Sequence, residues 1–206
     1  MKEFENKIVV LTGASSGIGY SLLNYFINEG AIVYASSRNE REITEKDKQN
    51  CNFELLDLAG ERNVEKYTRT ILENENHIDV LINNAGVAHN LALIEEMNSE
   101  MFSSIIRDNI MPTFNMMKYI IPVMKKSNSG TVINVSSRAG RRAVPRLSAY
   151  TAAKFAVRGL TEAVAKEVQD TEIKCISISP AGVNTGMRAM VFGQDDAENQ
   201  QNTSRI

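Results

Sequence analysis

Apolar residues along this chain fall into two alternating patterns. Short runs rich in β-branched residues occur at Ile8 to Leu11, Ala31 to Ala35, Asn52 to Leu56, Ile78 to Ile82, Thr131 to Val135 and Ile173 to Ile178. They read as six strands. Between them apolar positions recur at helical spacing. Ser16 to Asn28 carries Ile18, Leu22, Leu23, Phe26 and Ile27 and stops at Gly30; Val64 to Leu72, about Asn98 to Lys126 and the Ala-rich Ala149 to Val168 repeat the pattern. Strands alternating with helices predict an α/β fold, a doubly wound parallel sheet with helices on both faces in three layers. No repeat or linker divides the chain. One domain is expected over 1–192, followed by a polar tail over 193–206 that is mobile if it stands alone.

Composition narrows the class. Of 206 residues 43% are hydrophobic and 23% charged, as in one soluble globular domain with a sizeable core. A net charge of -2 gives no reason to expect nucleic acid or a membrane surface as partner. Met1 to Lys7 is polar and has no signal-peptide core, and no apolar run approaches the roughly 20 residues of a membrane span. Cys51 and Cys175 are far apart and read as free thiols in a reducing cytoplasm. Two histidines, without a cluster at ligand spacing, indicate no metal site.

Chemistry enters at Thr12-Gly13-Ala14-Ser15-Ser16-Gly17-Ile18-Gly19, between the first strand and the first helix. Residues without a β-carbon permit a tight turn and let the backbone approach a pyrophosphate. The helix start offers free N–H groups and the positive end of its dipole. A strand before the turn and a helix after it are the context that a dinucleotide site requires. The second strand ends in Ser36-Ser37-Arg38, with no acidic residue to take ribose hydroxyls. Arg38 can instead fork around a 2′-phosphate, which favours NADP(H) over NAD(H).

The ordered set Thr12 to Gly19, Asn83-Asn84-Ala85-Gly86, Ile133-Asn134-Val135-Ser136-Ser137 and Tyr150-x-x-x-Lys154 resembles the short-chain dehydrogenase/reductase family over about Lys7 to Met187. The resemblance implies a Rossmann-type sheet of about six strands in the order 3-2-1-4-5-6, with the family's seventh strand missing. It implies that Gly13, Ser15, Ser16, Gly17, Ile18 and Gly19 hold the dinucleotide. Asn83, Ala85 and Gly86 would shape its adenosine side, Asp57 with Leu58 would contact adenine, and Arg38 matches the basic position of the NADP(H)-preferring subgroup. Tyr150 is the implied general acid or base and Lys154 its activator and ribose ligand. Ser137 is the implied donor to the substrate oxygen, Ser136 being the competing choice. Asn109 is the implied anchor of a relay water. Pro180, Gly182, Val183 and Thr185 match the nicotinamide segment, although Pro180-Ala181-Gly182 departs from the family's Pro-Gly. A homodimer or homotetramer is implied through the helices at Asn98 to Lys126 and Ala149 to Val168.

The chemistry needs these residue types. Tyr150 and Lys154 are four apart and share a helix face. A free tyrosine titrates near ~10, and a neighbouring ammonium is expected to lower that value. Hydroxyls of Ser137 and Tyr150 would stabilise the charge that develops on a carbonyl oxygen. Pro112 removes the helical hydrogen bond to Asp108, so a kink with free carbonyls around Asp108 and Asn109 is expected. Arg138, Arg141, Arg142 and Arg146 read as a solvated basic loop, or as the mouth for an acidic substrate. His89 stands near the cleft, and Met111, Met116, Met117 and Met124 read as core filler.

Family members run longer, and the absent part usually covers the substrate, so an incomplete pocket is expected. The expected function is an NADP(H)-dependent oxidoreductase acting on a small carbonyl or alcohol. The alternative is a silent NADP(H)-binding or sensing module with a truncated lid.

Overall fold

Strand β1 (Ile8–Thr12) is buried at every position. Its side chains alternate between two cores. Ile8 and Val10 join one cluster, Val9 and Leu11 the other, so a continuous apolar run satisfies both faces of the sheet. The computed structural model describes residues 2–203. It contains one sheet in the order β3-β2-β1-β4-β5-β6, the order expected. The remaining strands are β2 (Ile32–Ser37), β3 (Asn52–Leu55), β4 (Val80–Asn83), β5 (Gly130–Val135) and β6 (Ile173–Ile178). Each of the five pairings is parallel.

Helix α1 (Gly17–Asn28) packs Leu23 and Phe26 against one face. The other face is covered by α3 (Glu61–Asn74), α4 (Ser99–Ser127) and α5 (Ser148–Glu167), through Val64, Ile71, Met116, Ile120, Met124 and Val164. The methionines at 116, 117 and 124 are core, as read. β6 alternates buried Ile173 and Cys175 with exposed Lys174 and Ile176, so its second face lies open among the described residues.

Three short helices carry too little apolar periodicity to be legible in the chain: α2 (Glu45–Asn50), α6 (Gly186–Phe192) and α7 (Gln194–Glu198). α2 is wholly polar and rests on a capping box between Thr44 and Asp47. α6 and α7 change the reading of the tail. Ala197 is fully buried, Arg188 pairs with Asp196, and Asn184 N donates to Gln201 O at 2.9 Å. Ser21 Oγ donates to Thr203 Oγ1 at 2.6 Å. The segment therefore folds back onto the body as far as residue 203; the last part of the expected tail, 204–206, lies outside the described residues.

Pro112 does not break α4, which runs from Ser99 to Ser127 with Pro112 and Pro122 inside it. Beside the proline, Asn109 turns its side chain back along the helix, with Nδ2 donating to Ile105 O at 2.8 Å. α4 starts at Asn98, whose side chain accepts from Met101 N, and ends at Asn128 in the left-handed region.

Candidate active site

The cleft lies at the carboxyl ends of β1, β4 and β5, the usual binding edge of a parallel sheet. At β1 the chain turns through Gly13 (φ 66°) and Gly17 (φ 56°) into α1. A β-carbon on Gly13 would stand 2.8 Å from Ala85 Cα, and one on Gly19 would collide with the Gly13 carbonyl oxygen. Both positions exclude side chains so that the turn can nest against the strand β4 exit. Asn84 braces that contact by donating to Thr12 O and Gly13 O at 3.2 and 3.0 Å. Thr12 Oγ1 accepts from Asn84 N and Ala85 N, each at 3.0 Å. Thr12 and Asn84 stand inside the motifs Thr12 to Gly19 and Asn83 to Gly86, but the sequence alone gave neither a role in the site.

The turn suits a pyrophosphate. The end of α1 already attracts one anion, since Gly17 N donates to Glu42 Oε1 at 3.3 Å. Ser16 caps the helix with its backbone only. Ser15 Oγ is engaged elsewhere, with Ser37 Oγ at 2.7 Å and Asn39 Oδ1 at 3.1 Å. Thr185 comes beside the turn: a β-carbon on Gly17 would lie 3.1 Å from its Cγ2. Its Oγ1 accepts from Arg188 N and caps α6.

The other expected cofactor residues separate into groups. Arg38 is exposed at the end of β2, but its fork is not free: Nη1 donates to Asp108 Oδ2 at 2.7 Å. Asp57 is exposed and its carboxylate accepts from Ala59 N. Leu58 is buried, and Asn115 of α4 donates to its carbonyl at 2.9 Å, a tie the sequence did not signal. The Asn83 side chain points into the sheet, donating to Asn134 Oδ1, and Asn134 donates in turn to Thr161 Oγ1. Pro180 O accepts from Arg138 N at 2.9 Å, Gly182 is overlain by Gln200, and Val183 pairs with Gln201. The inserted Ala181 is accommodated with its side exposed and lines the same pocket as Pro180.

Catalytic candidates converge at β5 and α5. Ser137 ends the β5 exit and accepts from Ala139 N at 3.1 Å, opening a 3-10 turn over Arg138–Gly140. It faces the same cavity as the Tyr150 phenol, whose acidity it increases in part. Ser136 instead donates to Lys154 O at 2.9 Å. The neighbouring serines thus divide their work: one faces the phenol, the other braces α5. Lys154 is 4% exposed, donates from Nζ to Val135 O at 3.1 Å and lies 5.6 Å from the Tyr150 ring centroid. Asn109 is fully buried and exchanges hydrogen bonds with Val87, at 2.9 Å to its carbonyl and 3.2 Å from its N–H. Gly86 lets these groups meet, because a β-carbon there would stand 2.7 Å from Asn109 Oδ1 and 3.1 Å from Lys154 Nζ.

Burial controls the titration of this cluster. It pulls Lys154 down to about 8 from its usual 10.5. It also raises the Tyr150 phenol above its usual 10, with the Ser137 hydroxyl lowering it in part. The expectation that the ammonium lowers the tyrosine is corrected here: at these residues desolvation wins.

Ser137 and Tyr150 face a cavity walled by Ala88, Val144, Leu147 and, from α6, Met187, Val191 and Phe192. Arg188 stacks over Phe192 at 4.1 Å and, with Arg138, lines the rim. Arg141, Arg142 and Arg146 are exposed. His89 is buried, with Nδ1 2.7 Å from Asn90 O. Among the described residues no cluster of His, Cys, Asp or Glu could hold a metal, and no helix is long and apolar enough to cross a membrane.

Known proteins share this arrangement. The family model described as short chain dehydrogenase matches residues 7–196. A 3-oxoacyl-(acyl-carrier-protein) reductase of Chlamydia trachomatis is 33% identical over 189 residues, covering 88% of this chain and 76% of its own. An NADPH-dependent pterin aldehyde reductase of Arabidopsis thaliana is 30% identical over 192 residues, covering 91% and 79%. A short chain dehydrogenase of Shigella flexneri, solved in complex with NADP, superposes with a TM-score of 0.90 at 27% identity, over 98% of this chain and 88% of that one. The glycine turn, the paired phenol and ammonium and the match across residues 7–196 agree, and this chain belongs to the short chain dehydrogenase family.

Proposed function

We propose that this chain is an NADP(H)-dependent oxidoreductase interconverting a small-molecule carbonyl and its alcohol, with Tyr150 moving the proton. The observation that carries the reading is the meeting of Ser137 and Tyr150 in one largely apolar cavity, with a buried ammonium 5.6 Å from the centre of the phenol ring. Similarity to proteins described as NADPH-dependent or solved with NADP supports the cofactor.

A bound nicotinamide would supply or accept the hydride. Its dinucleotide would be held by the Gly13–Gly19 turn, with Arg38 toward the 2′-phosphate, Asp57, Leu58, Asn83, Ala85 and Gly86 on the adenosine side, and Pro180 to Thr185 at the nicotinamide. The raised phenol keeps Tyr150 protonated at neutral pH, as an acid for carbonyl reduction requires. Ser137 and Tyr150 both direct hydroxyls at the oxygen that gains charge. Lys154, held by Val135 O, remains largely an ammonium below its pKa of about 8 and favours the tyrosinate as the proton leaves. Asn109 fixes the Val87 loop beside Lys154, and the family resemblance gives it the further role of anchoring a relay water. Met187, Val191 and Phe192 of α6 give the cavity an apolar side, and a drier setting strengthens each of these interactions.

The test is NADPH consumption against a panel of aldehydes, ketones and 3-oxoacyl thioesters by wild type and Tyr150→Phe. Turnover by wild type, lost in the variant while NADPH binding persists, supports the reading. Equal activity in the variant overturns it. We also assign the chain to the cytoplasm and to a homodimer or homotetramer. The two free thiols support the first. Exposed Phe102 and Phe114 on α4 and Phe155 on α5 support the second, and light scattering on the purified chain checks it.

A further inference from the structure

We infer that Asp108 sets the strength of selection for NADP(H), by holding Arg38 in an internal ion pair that a 2′-phosphate has to share. The inference rests on the proposed role of Arg38. It concerns a residue on α4 that carries no role in the chemistry described above.

Asp108 uses both carboxylate oxygens on guanidinium groups. Oδ2 accepts from Arg38 Nη1 at 2.7 Å, and Oδ1 accepts from Arg107 Nε at 2.8 Å. The first bond joins the end of β2 to the middle of α4. These elements are not sheet neighbours, since β1 and β4 lie between β2 and the strand that α4 leads into. The pair therefore spans the carboxyl edge of the sheet, on the side where the glycine turn meets Ala85. The Asp108 side chain is 12% exposed and that of Arg38 46%. The carboxylate is thus the fixed anchor, and the guanidinium is the part that a ligand reaches.

Charge balance makes the pair consequential. Burial raises the Asp108 carboxyl, but hydrogen bonds from Arg38 and Arg107 outweigh that and hold it below its usual range. It is ionised at neutral pH. Arg107 also feels Asp57 across the same end of the cleft. Two guanidinium groups, Arg38 and Arg107, thus face two carboxylates, Asp57 and Asp108, and the cluster is formally neutral. A fork has five donors on a planar frame, so the edge of Arg38 away from Asp108 remains available to phosphate. A phosphate bound there meets a guanidinium whose charge is already half answered, with a like charge behind it. An unphosphorylated ribose carries no such penalty. Asp108 consequently weakens NADP(H) binding while leaving NAD(H) binding nearly untouched.

Fluorescence titration of the full chain with NADPH and NADH, at low and high NaCl, tests this. In Asp108→Asn, NADPH binds about fivefold more tightly, the scale of an exposed ion pair, while NADH changes less than twofold. The gain disappears at high salt because exposed charges are screened. Arg107→Gln serves as a second variant with the opposite sign: it leaves Asp108 with Arg38 alone and weakens NADPH. If wild type binds NADPH no better than NADH, the role of Arg38 fails and this inference falls with it. If wild type prefers NADPH but Asp108→Asn binds it equally or more weakly, only this inference is overturned.

Discussion

At the catalytic end of the cleft Lys154 is 4% exposed and its ammonium donates to one carbonyl, Val135 O. At the end assigned to adenosine, Arg38 is exposed and shares the Asp108 carboxylate with Arg107. The same kinds of charge are present, yet they are governed differently. Around Lys154 and Tyr150 desolvation decides the protonation states, pulling the amine down and the phenol up. Around Arg38 opposite charges settle the balance in the presence of water, and each interaction is small and screened. On the proposed roles of these residues, the chemistry would sit rigidly in a buried pocket while cofactor choice would respond to single substitutions at an exposed rim.

That contrast can be broken by substitution, and the largest effect lies at the buried end. Tyr150→Phe removes the proton donor without changing volume much and should lower kcat by about 10⁴-fold, with NADPH binding retained by fluorescence. Ser137→Ala should cost about 10²- to 10³-fold in kcat, as for loss of one donor to a developing oxyanion. The adjacent Ser136→Ala tests whether position or mere proximity matters. It removes a bond to Lys154 O, so it should cost about 1 kcal/mol in denaturant unfolding and leave most of kcat. Equal kinetic losses in the two serine variants would show that the division between them is wrong.

Acidity sharpens the comparison further. Lys154 loses its proton as pH rises through about 8, whereas the raised phenol of Tyr150 keeps its own. In the direction of reduction, kcat/KM should therefore be flat near neutrality and fall by about tenfold per unit above that value; a flat profile to pH 10 would contradict a buried, functional ammonium. The exposed end should yield the smallest effect. Arg38→Gln should weaken NADPH by about tenfold, one charge-assisted hydrogen-bond site, while NADH binding stays within twofold. A loss equal for both cofactors would place Arg38 outside 2′-phosphate recognition.

Much of this was legible in the chain because the signals were local. A short continuous apolar run against a period of 3.6 separates β1 from α1, and a run such as Ile8 to Leu11, apolar at successive positions, announces burial on both faces. Alternating elements and right-handed crossovers gave a doubly wound sheet, and the family resemblance implied its order. Tyr150 and Lys154 share a helix face by spacing alone. What stayed hidden depended on partners distant in sequence. No local pattern marks α2, a short helix without apolar periodicity, or α6 and α7, which are held by the Arg188–Asp196 pair and by Ala197 packing.

The amino-acid sequence by itself determined the class of fold and the position of the glycine turn, because helix and strand periods and the steric freedom of glycine act over a few residues; the proposed reacting side chains came from the resemblance to a family. Tertiary structure alone decided that Ser136 braces Lys154 O, that Asn83 turns inward to Asn134, that Arg38 lies against Asp108 seventy positions away, and that burial raises rather than lowers Tyr150. Each of these depends on desolvation or on contacts between remote segments, and neither quantity exists until the chain has closed on itself.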